Sequence, residues 1–171
     1  GATLAVNDTG TAIANRLGSG RPLTIQHGIF DFTANGVSNS SQTLGALTVG
    51  AGAATLKTSN AGSAQSLLTF SSLASNVVAA QGVLVFQSDT TFGTAQNQVK
   101  FTTAPTLTPA TTGILARVTV SGNEFATYNS TNGIVAFTGY AAVTNVLSAS
   151  PTQTFKATSA TANSLTGNQT L

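Results

Sequence analysis

The sequence predicts an all-β chain wound as a parallel β-helix, a β-solenoid. Three observations predict it. Short strand patterns alternate apolar and small polar residues with a period of two, the period of a strand with one buried face. Small-residue corners separate them. Similar strands recur at spacings in the twenties: Leu23 to Leu47 is a step of 24 and Leu47 to Leu68 a step of 21. A coil of that length cannot bury its apolar face alone, so it needs neighbours above and below.

The clearest unit is Gln42–Thr58, QTLGALTVGAGAATLKT. It reads as two strands, Leu44–Val49 and Ala53–Thr58, around the corner Gly50-Ala51-Gly52. No side chain in that corner exceeds a methyl, so the backbone can turn sharply there.

Upstream, Gly1–Asn7 opens in strand pattern and Asp8-Thr9-Gly10 turns it. Thr11–Leu17 suits a helical turn or a bulging loop, and Pro22 restarts the chain where no ladder donor is needed. Leu23–Gln26 and Gly28–Thr33 form the next pair, with Phe30 and Phe32 on one face. Asn35-Gly36 signals a turn, followed by a polar loop through Ser41. Downstream, strands are expected at Ser66–Ser72, Val83–Phe86, Val99–Thr102, Ile114–Val120, Glu124–Tyr128 and Ile134–Phe137. Leu73–Ala80 is ambiguous, Ser88–Gln96 reads as a polar loop, and Asn129–Gly133 is a strong turn. Gly139–Leu147 is apolar without clean alternation, and Thr154–Thr158 and Ser164–Leu171 are the last strand candidates. One segment, 1–171, is expected, with regular coils over 1–96 and less regular ones over 97–171. A β-sandwich subunit is the alternative, with antiparallel hairpins at Asn35-Gly36 and Asn132-Gly133.

Composition narrows the function classes. Only 6% of the 171 residues are charged, against about 25% in ordinary globular domains. Solubility must rest on Thr, Ser, Asn and Gln. The net charge of +2 comes from six basic and four acidic residues. Arg16 and Arg21 are the one close basic pair, and Lys57, Lys100, Arg117 and Lys156 are scattered, so no basic face for nucleic acid is visible. The absence of cysteine excludes disulfides and thiolate metal sites. No apolar run approaches the roughly 18–20 residues of a membrane helix. The sequence lacks an initiating Met and a signal peptide, and neither end reads as a cap. A processed chain or a segment is therefore expected, either continuing into further repeats or pairing end to end with other copies.

Chemistry-bearing residues are few. His27 is the single histidine, and a triad would need a nucleophile and an orienting carboxylate beside it. Asp31 falls on the face opposite Phe30 and Phe32, in solvent, so His27 reads as a corner residue. The acids are Asp8, Asp31, Asp89 and Glu124, no two within twenty positions. Paired carboxylates for glycoside cleavage, or several oxygens for calcium, would have to be assembled by coil stacking. Thr102–Thr112 contains one Thr-x-Thr and two prolines, which fits a loop better than an ice-binding array. Asn7, Asn39, Asn129 and Asn168 head N-x-Ser/Thr triplets, unsurprising in a chain this rich in those residues. Phe30, Phe32, Phe70, Phe86, Phe101, Phe125 and Phe137 read as core, and Tyr128 and Tyr140 as candidate surface anchors. No catalytic, cofactor-binding or metal-ligating residue is expected.

Four segments carry a resemblance: Ser40–Thr58, SLLTFSSLA at Ser66–Ala74, NQVKFTTAPTL at Asn97–Leu107, and GILARVTVSGNEFATYNSTNGIVAFTGY at Gly113–Tyr140. In that order they resemble bacterial autotransporter-associated β-strand-repeat proteins, over roughly residues 16–171. The Gly113–Tyr140 block is the most specific, because its EFATY run is not explained by strand periodicity. The resemblance implies a parallel β-helix passenger, secreted through the outer membrane to the cell surface, with no catalytic residues to carry over. The lack of cysteine agrees with such export. The expectation is a non-enzymatic extracellular stalk, filament subunit or adhesive passenger, partnered by further repeats or copies and by a surface glycan or host surface. One rival is a carbohydrate-binding or carbohydrate-cleaving β-helix, which would gather Asp31, Asp89 or Glu124 with Arg16, Arg21 or Arg117. The other is a coat or pilin-like sandwich subunit.

Overall fold

A computed structural model of the chain describes residues 1–74, 82–110 and 113–141, with Thr154 and Lys156. Its strands are β1 (Thr3–Asn7), β2 (Leu23–Ile25), β3 (Ile29–Thr33), β4 (Ser40–Leu44), β5 (Leu47–Val49), β6 (Gly52–Ser59), β7 (Ser66–Phe70), β8 (Gly82–Ser88), β9 (Gln98–Phe101), β10 (Val118–Val120), β11 (Glu124–Asn129) and β12 (Gly133–Ala136). They lie in three sheets, ordered β1-β3-β6-β8-β10-β11-β12, β2-β5 and β4-β7-β9. Pairing is parallel from β1 through β10 and within both smaller sheets. The chain visits the three faces in turn and winds a β-solenoid of about three turns, as the periodicity predicts.

The repeat is set by register. Ile29 pairs with both Thr3 and Thr55, and Ser40 with Ser66, so the coil rises by 26 residues at each of these steps. The step of 24 from Leu23 to Leu47 is a true pairing. The step of 21 from Leu47 to Leu68 is not: Leu68 pairs with Gln42 and Val99, while Leu47 bridges Leu73. Later coils widen, to 30 residues between Thr55 and Val85 and 34 between Val85 and Thr119. The parallel strands stay in register across these longer steps.

Alternation places every second side chain inside. Phe30, Phe32, Leu56, Leu84 and Phe86 stack from one large-sheet strand to the next, all at most 1% exposed. Leu68, Phe70 and Val99 line the β4-β7-β9 face, and Phe70 stacks on Phe101 at 5.7 Å between ring centres. Each such side chain contributes about 1.5–3 kcal/mol of burial. The corners need small residues for close coil contact. A Cβ at Gly62 would run into the Gly36 carbonyl of the coil beneath, so only hydrogen fits between these two turns.

Several local expectations are corrected. The expected strand Leu44–Val49 is broken at Gly45-Ala46, because the Gly45 N–H turns to the Arg21 carbonyl and makes a corner between β4 and β5. The polar stretch ending at Ser41 enters strand β4, with Ser40 and Gln42 facing inward, 0% and 1% exposed. Ile114–Val120 is not one strand. Arg117 takes a left-handed φ of 59°, so only Val118–Val120 joins the sheet. Phe125 is 40% exposed on the outer face of β11, whereas Phe92, in the supposed polar loop, is buried edge-on to Phe86 at 6.0 Å. Asn35-Gly36 is a coil corner between parallel strands, which removes the sandwich reading, although Asn132-Gly133 does close the antiparallel hairpin β11–β12.

Among the described residues, that hairpin ends the parallel ladder. β11 pairs antiparallel with β10, and β12 with β11. Tyr128 reaches from the hairpin to the last strand of the neighbouring face. Its Oη donates to the Phe101 carbonyl at 2.9 Å and accepts from the Phe101 N–H at 3.2 Å. The side chain thus replaces a next strand along β9.

Two compact units divide the chain, Gly1–Phe137 and Thr138–Leu171. In the second, the Ala141 N–H donates to the Thr154 carbonyl at 2.8 Å and the Lys156 ammonium lies 6.0 Å from the Tyr140 ring centre. Most of the ambiguous segments Leu73–Ala80 and Gly139–Leu147, nearly all of the strand candidates Thr154–Thr158 and Ser164–Leu171, and the triplet at Asn168 lie outside the described residues.

Candidate functional site

The four acids and His27 fall at four places. At the β1 end, Asp8 is fully buried and its Oδ1 accepts the Arg16 Nε–H at 2.8 Å. Arg16 also donates to the Thr11 carbonyl, fastening the 9–16 loop across this end of the coil. Asp8 Oδ2 is buried with no hydrogen-bond partner. Within the sheet, Asp31 and Lys57 sit side by side on the outer face because β3 pairs β6 at that register, and Lys57 Nζ lies 3.1 Å from Asp31 Oδ2. Asp31 therefore lies on the predicted face, but it is ion-paired and only partly exposed. His27 sits exposed at a corner with φ of 51°, its ring over Gly52 in the next coil, where a side chain would collide with Nε2. That is a packing contact between coils.

The fourth place is a cleft of about 440 Å³ where β8 leaves the sheet and β10 turns into β11. Asp89 and Glu124 both line it, with Ser88, Thr90, Thr91 and Asn123 around them and Phe92 and Val120 as apolar floor. Thirty-five positions separate the two acids in sequence. Stacking brings them together: Val120 pairs with Phe86 and with Glu124, so the Asn123 turn lands beside the Asp89 corner.

The cleft stands on a polar network that periodicity does not reveal. Asp89 accepts the Asn60 N–H through both oxygens, at 3.0 and 3.2 Å. Asn60 donates its side-chain amide to the Ala64 and Gln96 carbonyls, both at 2.7 Å. Asn97, 1% exposed, donates to Ser88 Oγ at 2.6 Å and accepts from Thr58 Oγ1 at 3.0 Å. Buried amides of this kind stay only where their bonds are made. They hold the corner in one conformation and keep the Ser88 and Thr90 hydroxyls at the rim. The signal for them is an Asn at a strand end followed by small residues, as in Ser59-Asn60-Ala61-Gly62.

Among the described residues no three His, Cys, Asp or Glu side chains converge as a metal site would require. The cleft offers hydroxyls, carboxylates and an amide side by side, donors and acceptors suited to a polyol. Arg16 is engaged with Asp8 at the far end, and neither it, Arg21 nor Arg117 lines the cleft. A second concavity, of about 220 Å³, opens at the β1 end among Leu4, Leu23, Ile25, Ile29 and Phe30.

No family model, curated protein or solved structure matches the chain.

Proposed function

We propose that this chain is a non-enzymatic structural segment of a secreted or cell-surface protein, serving as a stalk or adhesive passenger by stacking β-coils. One observation carries the reading: five strands, β1-β3-β6-β8-β10, run as an uninterrupted parallel ladder over one apolar column. Such a ladder resists deformation because every interior strand is hydrogen-bonded on both edges. The charge-poor outer rows and the resemblance to autotransporter-associated repeats support export to the cell surface. The coils suit either end-to-end assembly or insertion within a longer run of repeats.

One observation favours a second reading, a carbohydrate-binding segment: Asp89 and Glu124 share a hydroxyl-rimmed cleft. A glycan array combined with a polysaccharide depolymerisation screen tests the choice. The structural reading expects no release of reducing ends and no binding that depends on Asp89 or Glu124. Saturable binding or cleavage by the wild-type chain, lost in Asp89→Asn or Glu124→Gln, would replace it with the second reading.

A further inference from the structure

Asparagine followed by glycine is a chemically fragile pair, because glycine has no side chain to shield its backbone nitrogen from the asparagine amide carbon. The chain holds two such pairs, Asn35-Gly36 and Asn132-Gly133. Both lie in turns, and both glycines take a left-handed φ, of 82° and 80°. Their asparagine side chains stand in opposite conditions.

Asn35 is held at both ends of its amide. Its Oδ1 accepts the Val37 and Ser38 N–H groups at 3.3 and 2.9 Å, and its Nδ2 donates to the Asp8 and Thr9 carbonyls at 2.9 and 3.2 Å. Swinging its Cγ onto the Gly36 nitrogen would break these bonds. Asn132 is exposed, and its side-chain amide has no hydrogen bond among the described residues. Its backbone N–H alone is engaged, by Asn129 Oδ1 at 2.7 Å. Apart from Asn123, every other described asparagine has its side chain in a hydrogen bond. The Gly133 nitrogen belongs to the last pair of the β11–β12 ladder, and such end pairs open locally without unfolding the rest.

We propose that Asn132-Gly133 is a site of self-modification, at which the chain converts an amide into a carboxylate with water as the co-reactant. The Gly133 nitrogen gives its proton to hydroxide and bonds to Asn132 Cγ. The Cγ–Nδ2 bond breaks, ammonia leaves, and a cyclic succinimide remains. Water then adds at either of its carbonyls. Opening on one side gives aspartate. Opening on the other gives isoaspartate, in which the main chain runs through Cβ and Cγ and is one atom longer.

The position of the pair turns this chemistry into a change of structure. The turn is seated on β9: Gln98 Nε2 donates to the Thr131 carbonyl at 3.3 Å, and a Cβ at Gly133 would run into the Val99 carbonyl. An extra main-chain atom just before Gly133 has no room there. It must displace the Asn129–Gly133 and Tyr128–Ile134 pairs, and with them the Tyr128 hydroxyl bonds to Phe101. Isoaspartate therefore loosens the hairpin, whereas aspartate keeps the chain length and the seat on β9.

The test incubates the folded 171-residue chain at mildly alkaline pH beside the same chain unfolded in guanidinium chloride, and localises amide loss by fragmentation mass spectrometry. In the folded chain Asn132 should convert at least about tenfold faster than Asn35, because one amide can reach the reactive geometry and the other is held away from it. In guanidinium chloride the two should convert at similar rates. Asn132→Gln should abolish conversion at that turn at unchanged circular dichroism. The separated isoaspartate form should melt below the unmodified chain, and Asn132→Asp should melt with the unmodified chain. Equal rates at Asn35 and Asn132 in the folded chain would overturn the proposal. So would an Asn132 that stays intact while the unfolded chain converts, or an isoaspartate form as stable as Asn132→Asp.

Discussion

The β1 end and the β12 end of the solenoid solve the same problem in opposite ways. Each borders the column of apolar side chains that fills the described coils. At the β12 end the chain reverses twice, and Tyr128 spends its hydroxyl on the Phe101 backbone. At the β1 end an ion pair, Arg16 to buried Asp8, fastens a loop over part of the coil. Leu17 packs on the core, and the Gln42 side chain accepts the Leu17 N–H and donates to the Gly18 carbonyl. Leu4 is 47% exposed. The lesson is that one parallel ladder passes into an antiparallel hairpin braced by Tyr128 on one side and into a loop held by an ion pair on the other.

The largest expected effect sharpens the contrast between interior and open end. Leu56→Ala removes a fully buried side chain packed between coils and should cost about 2–5 kcal/mol by urea melts. Leu4→Ala, the same change at an inward position of the same sheet, should cost under about 1 kcal/mol in the monomer. Equal costs would mean that Leu4 is covered.

Tyr128→Phe breaks the seal. It leaves the N–H and C=O of Phe101, a residue only 5% exposed, without their partner, and should cost roughly 1–3 kcal/mol. A neutral result would show that β9 ends in water. Arg16→Ala loosens the other end. It strands the Asp8 carboxylate, but the Arg16 side chain is 34% exposed and water can take its place in part, so about 1–2 kcal/mol is expected. Lys57→Ala lies on the outer face between the ends. Its pair with Asp31 is solvent-accessible, with the lysine side chain 43% exposed, and the change should stay below about 1 kcal/mol and shrink in salt.

Much of the fold was legible because inward and outward residues differ in kind. Phe30 and Phe32, Ala54 and Leu56, and Leu84 and Phe86 alternate with polar or smaller partners, and β3, β6 and β8 follow directly. β4 was hidden because Ser40 and Gln42 point inward. Gln42 serves there as a backbone partner for the irregular 15–20 stretch, a tertiary role that no local pattern records. Register was harder than strand position. Any inward leucine can seem to pair with any other, and Leu68 answers to Gln42 rather than Leu47 because corner lengths decide the step. The cleft was illegible for the same reason: Asp89 and Glu124 become neighbours only once the 34-residue step between β8 and β10 is known.

Residue-resolved amide hydrogen exchange tests the central claim, a parallel ladder running from β1 through β10 into an antiparallel hairpin. Leu4 and Val6, whose backbone groups face β3, should be protected while Thr3, Ala5 and Asn7 exchange within the dead time. The amides of β11 and β12 and of Phe101 should be slow. Uniform protection along β1, or fast exchange at Phe101, would contradict the account.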